Sequence, residues 1–198
     1  MTAENKTAGG WGGLHICGYA PTNAGSGFSE IGNAAYGGND ANDNSGVLKY
    51  IRLEYTGFAL DDEHESNGIS FYGVGAGTQV SYVQTYVGAD DGLEFFGGTV
   101  NVTNLLAVNP DDDMFDFTQG YSGKLKNCYG VWESGYTSTE ADPRGIEADG
   151  NLDGIYPDHL RQSDFVVENM TIVNNAANTT DNVDRMQDAV SYTHLTLP

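Results

Sequence analysis

The sequence predicts an all-β chain wound as a parallel β-solenoid of about 22 residues per coil, and three observations carry the prediction. Asp90-Asp91-Gly92-Leu93-Glu94-Phe95 recurs position for position 22 residues later as Asp112-Asp113-Met114-Phe115-Asp116-Phe117. A second pattern follows each copy: apolar, polar, Asn, apolar, two variable residues, Val. It occurs around Asn104, Asn127 and Asn169. Finally, turns are written in Gly, Asn and Asp, and no long stretch shows helical periodicity.

Each element follows from these repeats. Looser copies of the first motif are Asn67-Gly68-Ile69-Ser70-Phe71 upstream and Arg144-Gly145-Ile146-Glu147-Ala148 downstream. Each reads as a small residue followed by apolar, polar and apolar positions, a short strand of period two. The runs from Val80 to Tyr86 and from Leu48 to Tyr55 take the place of the second motif without its Asn. A coil of this length holds three short runs and three bends, and successive coils stack about 4.8 Å apart. Asn tolerates the left-handed conformation that a bend demands, so Asn104 and Asn127 are expected to stack, with Asn169 on a later coil. Aligned with Leu105 and Met170, Cys128 is expected to be a buried thiol, and a bridge to Cys17 would have to span about five coils. Insertions are expected at residues 23–45, 134–143 and 150–162. The competing architecture, an antiparallel sandwich, explains short strands but not an in-register repeat.

The ends read differently from the body. Residues 190–198, Val-Ser-Tyr-Thr-His-Leu-Thr-Leu-Pro, match the translation of a common transposon-based sequencing adapter. They are set aside with His194 and Pro198 as an artefact, leaving residues 1–189 as one β-helix domain cut at both ends.

Composition narrows the function. The chain has 198 residues with 8 Lys+Arg against 28 Asp+Glu, a formal net charge of −20. That balance excludes nucleic acid as the natural partner and disfavours anionic membranes. No apolar run is long enough to span a bilayer. A 39% hydrophobic content with 12 Tyr and 8 Phe still allows a packed core, so this is not an acidic disordered tail. The chain is read as a monomer.

Chemistry rests on carboxylates. Superposed repeats place Asp90 over Asp112, Asp91 over Asp113 and Glu94 over Asp116; Glu147 continues the last column and Arg144 falls in the Asp91/Asp113 column. Carboxylates about one coil apart repel unless a cation bridges them, one is protonated, or solvent screens them. Asp90, Asp91, Glu94, Asp112, Asp113 and Asp116 are candidate calcium ligands, because calcium takes hard oxygen donors. No organic cofactor is indicated. Residues 40–46 resemble a calcium loop but fail the EF-hand spacing, since position twelve is Ile51. His15, His64 and His159 are isolated, and two Cys exclude a cysteine zinc site. The Gly-rich run at residues 73–77 lacks a phosphate-loop ending and is expected to be a bend.

A resemblance enters through Gly10-Trp-Gly-Gly-Leu14, Tyr36-Gly-Gly-Asn-Asp40 with the following Asp43-Asn-Ser-Gly-Val-Leu-Lys-Tyr-Ile-Arg-Leu-Glu-Tyr55, Asp90-Asp-Gly-Leu-Glu-Phe-Phe-Gly-Gly98, and Asp112-Asp-Met-Phe-Asp-Phe117 with Gly120-Tyr-Ser-Gly123. Over roughly residues 7–175 the chain resembles secreted or lipid-anchored proteins of Bacteroidetes and related marine bacteria. These are similar to right-handed parallel β-helix, pectate-lyase-like proteins, and many carry a type IX secretion sorting domain. The resemblance implies a right-handed β-helix and an extracellular or cell-surface location. It leaves two functions open. One is a non-catalytic, cation-stabilised module for adhesion or glycan contact. The other is a polysaccharide lyase or glycoside hydrolase whose site would be Asp91, Glu94, Asp113, Asp116, Arg144 and Glu147. Against the second, Gly-His-Gly and Arg-Ile-Lys motifs of related glycosidases are missing, and Arg144 is a poor base because its pKa lies above about 12.

Overall fold

Alternating apolar residues in short strands must find a shared interior, and stacked coils supply it. In the computed structural model, which describes residues 6–61, 64–151, 161–176 and the backbone of 187–191, the chain is a right-handed parallel β-helix without helices among those residues.

Two parallel sheets run the length of the coil. The first holds β1 (Leu14–Cys17), β5 (Ile69–Tyr72), β7 (Leu93–Phe96), β9 (Phe115–Thr118), β11 (Arg144–Ala148) and β13 (Gln187–Ser191), in that spatial order. The second holds β4 (Val47–Glu54), β6 (Gln79–Tyr86), β8 (Asn101–Val108), β10 (Lys124–Trp132) and β12 (Val166–Asn174). Chain order alternates between the sheets, so each coil contributes one short strand and one long one. Two residues each of β2 (Gly27–Phe28) and β3 (Ala35–Tyr36) form an antiparallel hairpin inside the 23–45 insertion.

The expected third run is present, though not as a separate strand. Every long strand carries a left-handed residue at its fourth position: Tyr50, Tyr82, Asn104, Asn127 and Asn169, all with φ between 55° and 60°. That residue turns a corner, and the ladder skips it, pairing Lys126 with Thr103 and then Cys128 with Leu105. The predicted Asn ladder forms. Asn127 Nδ2 donates to Asn104 Oδ1 at 3.3 Å and Asn169 Nδ2 donates to Asn127 Oδ1 at 2.8 Å, at the outer surface.

The core is a stack of like on like. Phe71, Phe95 and Phe117 stack at 4.9 and 5.2 Å between ring centroids, each contact worth about 0.5–1.5 kcal/mol beyond burial. Opposite them lie Leu48, Val80, Val102 and Leu125, and Val83, Leu105 and Cys128. Gly92 shows why a small residue opens the motif. A Cβ there would lie 2.6 Å from the carbonyl oxygen of Met114 on the next coil.

The 22-residue spacing holds through the middle coils and is broken at both sides by insertions. Residues 134–143 enlarge the coil before β11, as expected; of 150–162, residues 152–160 lie outside those described, with His159 among them. Strand β13 crosses the expected boundary at residue 190, pairing Glu147 with Val190 through the backbone. Residues 192–198 lie outside the described residues, His194 and Pro198 with them. Both cysteines are free thiols.

Candidate functional site

In a β-helix one face of each strand feeds the interior and the other faces outward. On the first sheet the outward column is His15, Ser70, Glu94, Asp116 and Glu147, paired strand to strand. Of the three ways to relieve the column, screening by open solvent is not available to Glu94: all four residues of β5 and of β7 are buried, while Asp116 and Glu147 are half-buried. The 23–45 insertion folds over β5 and β7, and Tyr36 packs on Tyr72 and Phe96 beside the acidic column. Tyr36 Oη donates to Gln119 Oε1 at 3.0 Å, and Tyr72 Oη donates to Glu30 Oε2 at 3.2 Å, closing the hairpin onto the sheet.

A second acidic column lies at the turn entering each short strand. Asp91 Oδ1 accepts from the Asp113 N–H at 2.9 Å, and Asp113 Oδ1 accepts from the Arg144 N–H at 2.5 Å. One oxygen of each thus ties its coil to the next, as aspartate does in many turns. Asp111 anchors the 134–143 insertion by accepting from Thr139 N–H at 2.9 Å and Tyr136 Oη at 3.1 Å. The Arg144 guanidinium ion-pairs with Asp142 at 2.8 Å and Glu147 at 3.3 Å.

Sequence reasoning grouped Asp90, Asp91, Glu94, Asp112, Asp113, Asp116, Arg144 and Glu147, and the fold brings all eight into one connected cluster, called the acidic cleft below. Ligand oxygens fall within 4.8 Å of one another in three overlapping trios: Asp90, Asp91 and Asp112; Asp91, Glu94 and Asp116; Asp113, Asp116 and Glu147. Asn67 was missed because it is not acidic. It occupies the Asp91/Asp113 column, and its Nδ2 donates to Glu94 Oε2 at 2.5 Å and Ser70 Oγ at 3.0 Å. Its position in the looser copy Asn67-Gly68-Ile69-Ser70-Phe71 was the available signal. Glu30, whose charge acts on Glu94, comes from the irregular hairpin and left no periodic trace.

Burial dominates the electrostatics. It pushes Asp90, Asp91, Glu94 and Asp116 well above the usual carboxylate range, and neighbouring carboxylates push them further. Asp112 is raised to about 7, by burial first and then by Glu140, Glu147 and Asp142. Asp113 is raised to about 11 by burial, the adjacent Asp112, and its hydrogen bond to Glu147. Burial lowers the pKa of His15, at the far end of the column. Chemically, such a site either holds protons shared between carboxyls or takes up a positive charge. The donor set fits a hard cation: it is all oxygen, and the buried Asp116 Oδ1 and Asn67 Oδ1 have no hydrogen-bond partner. The 40–46 segment is structural instead. Asp43 Oδ2 accepts from Ser45 Oγ at 2.9 Å and Gly75 N–H at 3.3 Å.

A family profile described as a pectate-lyase-like β-helix domain matches residues 1–192, nearly the whole chain. The chain belongs to this family. No curated protein matches it, and neither does any solved structure. Within the pectate-lyase-like β-helix family, the roles of these carboxylates therefore rest on this domain's own geometry. No helix among the described residues is long and apolar enough to cross a membrane.

Proposed function

We propose that this β-helix is a non-catalytic extracellular or cell-surface module whose acidic cleft binds calcium, and that it serves adhesion or glycan contact. The observation that carries the reading is the all-oxygen trio of the buried Asp91 and Glu94 and the half-buried Asp116, with the buried, partnerless Asp116 Oδ1 among its atoms. Burying several like charges is costly unless an opposite charge joins them. Asp91, Glu94, Asp113 and Asp116 would hold the ion, with Asp90 and Asp112 at the rim. A bound cation would neutralise the cleft and fasten adjacent coils to each other through β7 and β9 and the turns that enter them. The surroundings of Arg144 favour the non-catalytic reading. Its guanidinium is committed to Asp142 and Glu147, which hold it charged and unable to accept a proton.

A second reading has one observation in its favour. Glu94 and Asp116 are adjacent carboxyls with oxygens within 4.8 Å of each other, both pushed well above the usual range by burial, which is the setting of an acid beside a base. In that case the domain cleaves a polysaccharide along this sheet.

One experiment separates them. Melting is followed with calcium and with chelator, and polysaccharides are screened for new reducing ends and unsaturated products. The module reading expects a calcium-dependent rise in melting temperature, lost in Asp116→Asn, and no product. Product formation abolished by Asp113→Asn establishes the enzyme instead, and a melt indifferent to calcium removes the cation.

A further inference from the structure

The left-handed corner column breaks its own rule in the first two coils. Asn, which tolerates φ near +57°, fills it at positions 104, 127 and 169. Tyr50 and Tyr82 take the same conformation at φ 58° and 55°, uncommon and strained for a bulky side chain. What the strain secures is visible: the two rings stack face to face, 4.9 Å between centroids and 10° from parallel. The platform is open, with Tyr50 80% and Tyr82 52% exposed. Tyr50 stands on β4, the edge strand of the sheet, so among the described residues its ring is stacked on one side alone.

The surroundings differ from the rest of the molecule. Lys49, Arg52, Lys124 and Lys126 all lie on β4 and β10 of this sheet, in a chain of net charge −20. Their partners are Glu54 for Arg52, the single Glu168 for both Lys124 and Lys126, and the uncharged amide of Gln79 for Lys49, at 2.8 Å. With four cations against two carboxylates, the face is a mildly basic strip in an acidic molecule, edged by amides and hydroxyls, namely Gln79, Ser81, Gln84 and Thr103 beside the Asn ladder. An aromatic face is electron-rich and attracts polarised C–H groups, while amides satisfy ring hydroxyls.

We infer that Tyr50 and Tyr82 form a stacking platform for the pyranose rings of a neutral polysaccharide, on the second sheet and apart from the acidic cleft. The inference deepens the glycan-contact half of the proposed function and needs none of its cation half. A neutral chain avoids the repulsion that the acidic remainder imposes on a polyanion, and the line of corner residues gives an extended chain a track along the helix axis.

The test is native affinity electrophoresis of the whole chain in chelator, through gels containing xyloglucan, mixed-linkage β-glucan or galactomannan. Retardation by at least one gel is expected. Tyr50→Asn/Tyr82→Asn continues the Asn ladder and so should fold at least as well, yet it should weaken binding on the order of tenfold or more. Tyr50→Phe/Tyr82→Phe keeps the rings and should retain most of it. Retardation by none of the three polymers, or undiminished retardation of the Asn variant, overturns the platform. Binding that appears solely with a polyuronate and calcium overturns it too, while leaving glycan contact at the acidic cleft standing. Self-association in light scattering that vanishes in the Asn variant shows that a second copy occupies the rings, and also overturns it.

Discussion

Glu94 and Asp116 sit one above the other on adjacent coils, backbone-paired between β7 and β9, with carboxyl oxygens within 4.8 Å of each other, and burial with the neighbouring negative charge pushes both groups well above the usual carboxylate range. Two acidic groups this close cannot both be ionised there at ordinary cost. The pair therefore couples the protonation of the cleft to the stability of the coil.

That coupling sets the pH dependence. The cleft carboxyls have folded pKa values above their unfolded ones, about 7 for Asp112 and about 11 for Asp113. The folded state then binds more protons than the unfolded chain, and stability falls as pH rises from about 4 towards these values. In chelator, the melting temperature should drop by several degrees between about pH 5 and pH 8. Calcium needs ionised carboxylates, so saturating calcium should shrink or reverse the slope over the same interval. Paired calorimetric scans at the two pH values check this, and a flat profile in chelator contradicts the coupled cleft.

Replacing one carboxyl of the pair by an amide tests the same contact locally. In Glu94→Gln one of the two negative charges is gone without needing a proton, and the amide oxygen still accepts from Asn67 Nδ2. At neutral pH the metal-free variant should melt at or a few degrees above the parent. Its calcium-induced rise should fall by at least about half, because a charged ligand is gone. Calcium titrations followed by differential scanning fluorimetry read both effects.

Much of this cleft was legible because a fixed period converts sequence offset into contact. An offset of 22 residues predicts that Asp91 meets Asp113, and Asp91 Oδ1 does accept from the Asp113 N–H. Glu147 falls on Asp116 despite an insertion because the motif around Arg144 restores the register. The burial was not legible. Tyr36 reaches Tyr72 and Phe96 from an insertion with no repeat partner, so periodicity says nothing of what it covers. A hint lay in the strands themselves: Ile69-Ser70-Phe71-Tyr72 and Leu93-Glu94-Phe95-Phe96 end with bulky aromatics on both faces, a pattern of strands covered on both sides. The Tyr50–Tyr82 stack was half legible. Alignment put both residues in the Asn column, but only the backbone conformation reveals the strain.

Thiol chemistry gives a check on the coil register. Cys128 is 3% exposed between Leu105 and Met170 of the coils on either side, and burial raises its pKa to about 11. Cys17 is half-buried beside the hairpin, its pKa also raised by burial. Titration with a chromogenic disulfide at about pH 8 should label one thiol slowly in the native protein and the second only after denaturation. Cys17→Ser should abolish the native reaction. Rapid labelling of both would place Cys128 outside the core.

The Asn ladder offers the sharpest separation of backbone from side-chain effects. Asn127 accepts from Asn169, donates to Asn104 and holds φ at 57°. Asn127→Gly removes both hydrogen bonds but suits the conformation, whereas Asn127→Val removes them and adds a β-branched side chain where such residues are least tolerated. Because the amides lie at the surface, water replaces much of what the hydrogen bonds supply. The glycine variant should therefore lose less than about 1 kcal/mol, and the valine variant about 1–2 kcal/mol more through the left-handed penalty. Denaturant titrations of the two variants measure the difference directly. If valine costs no more than glycine, position 127 is not held left-handed, and the corner that generates the third side of each coil is misassigned.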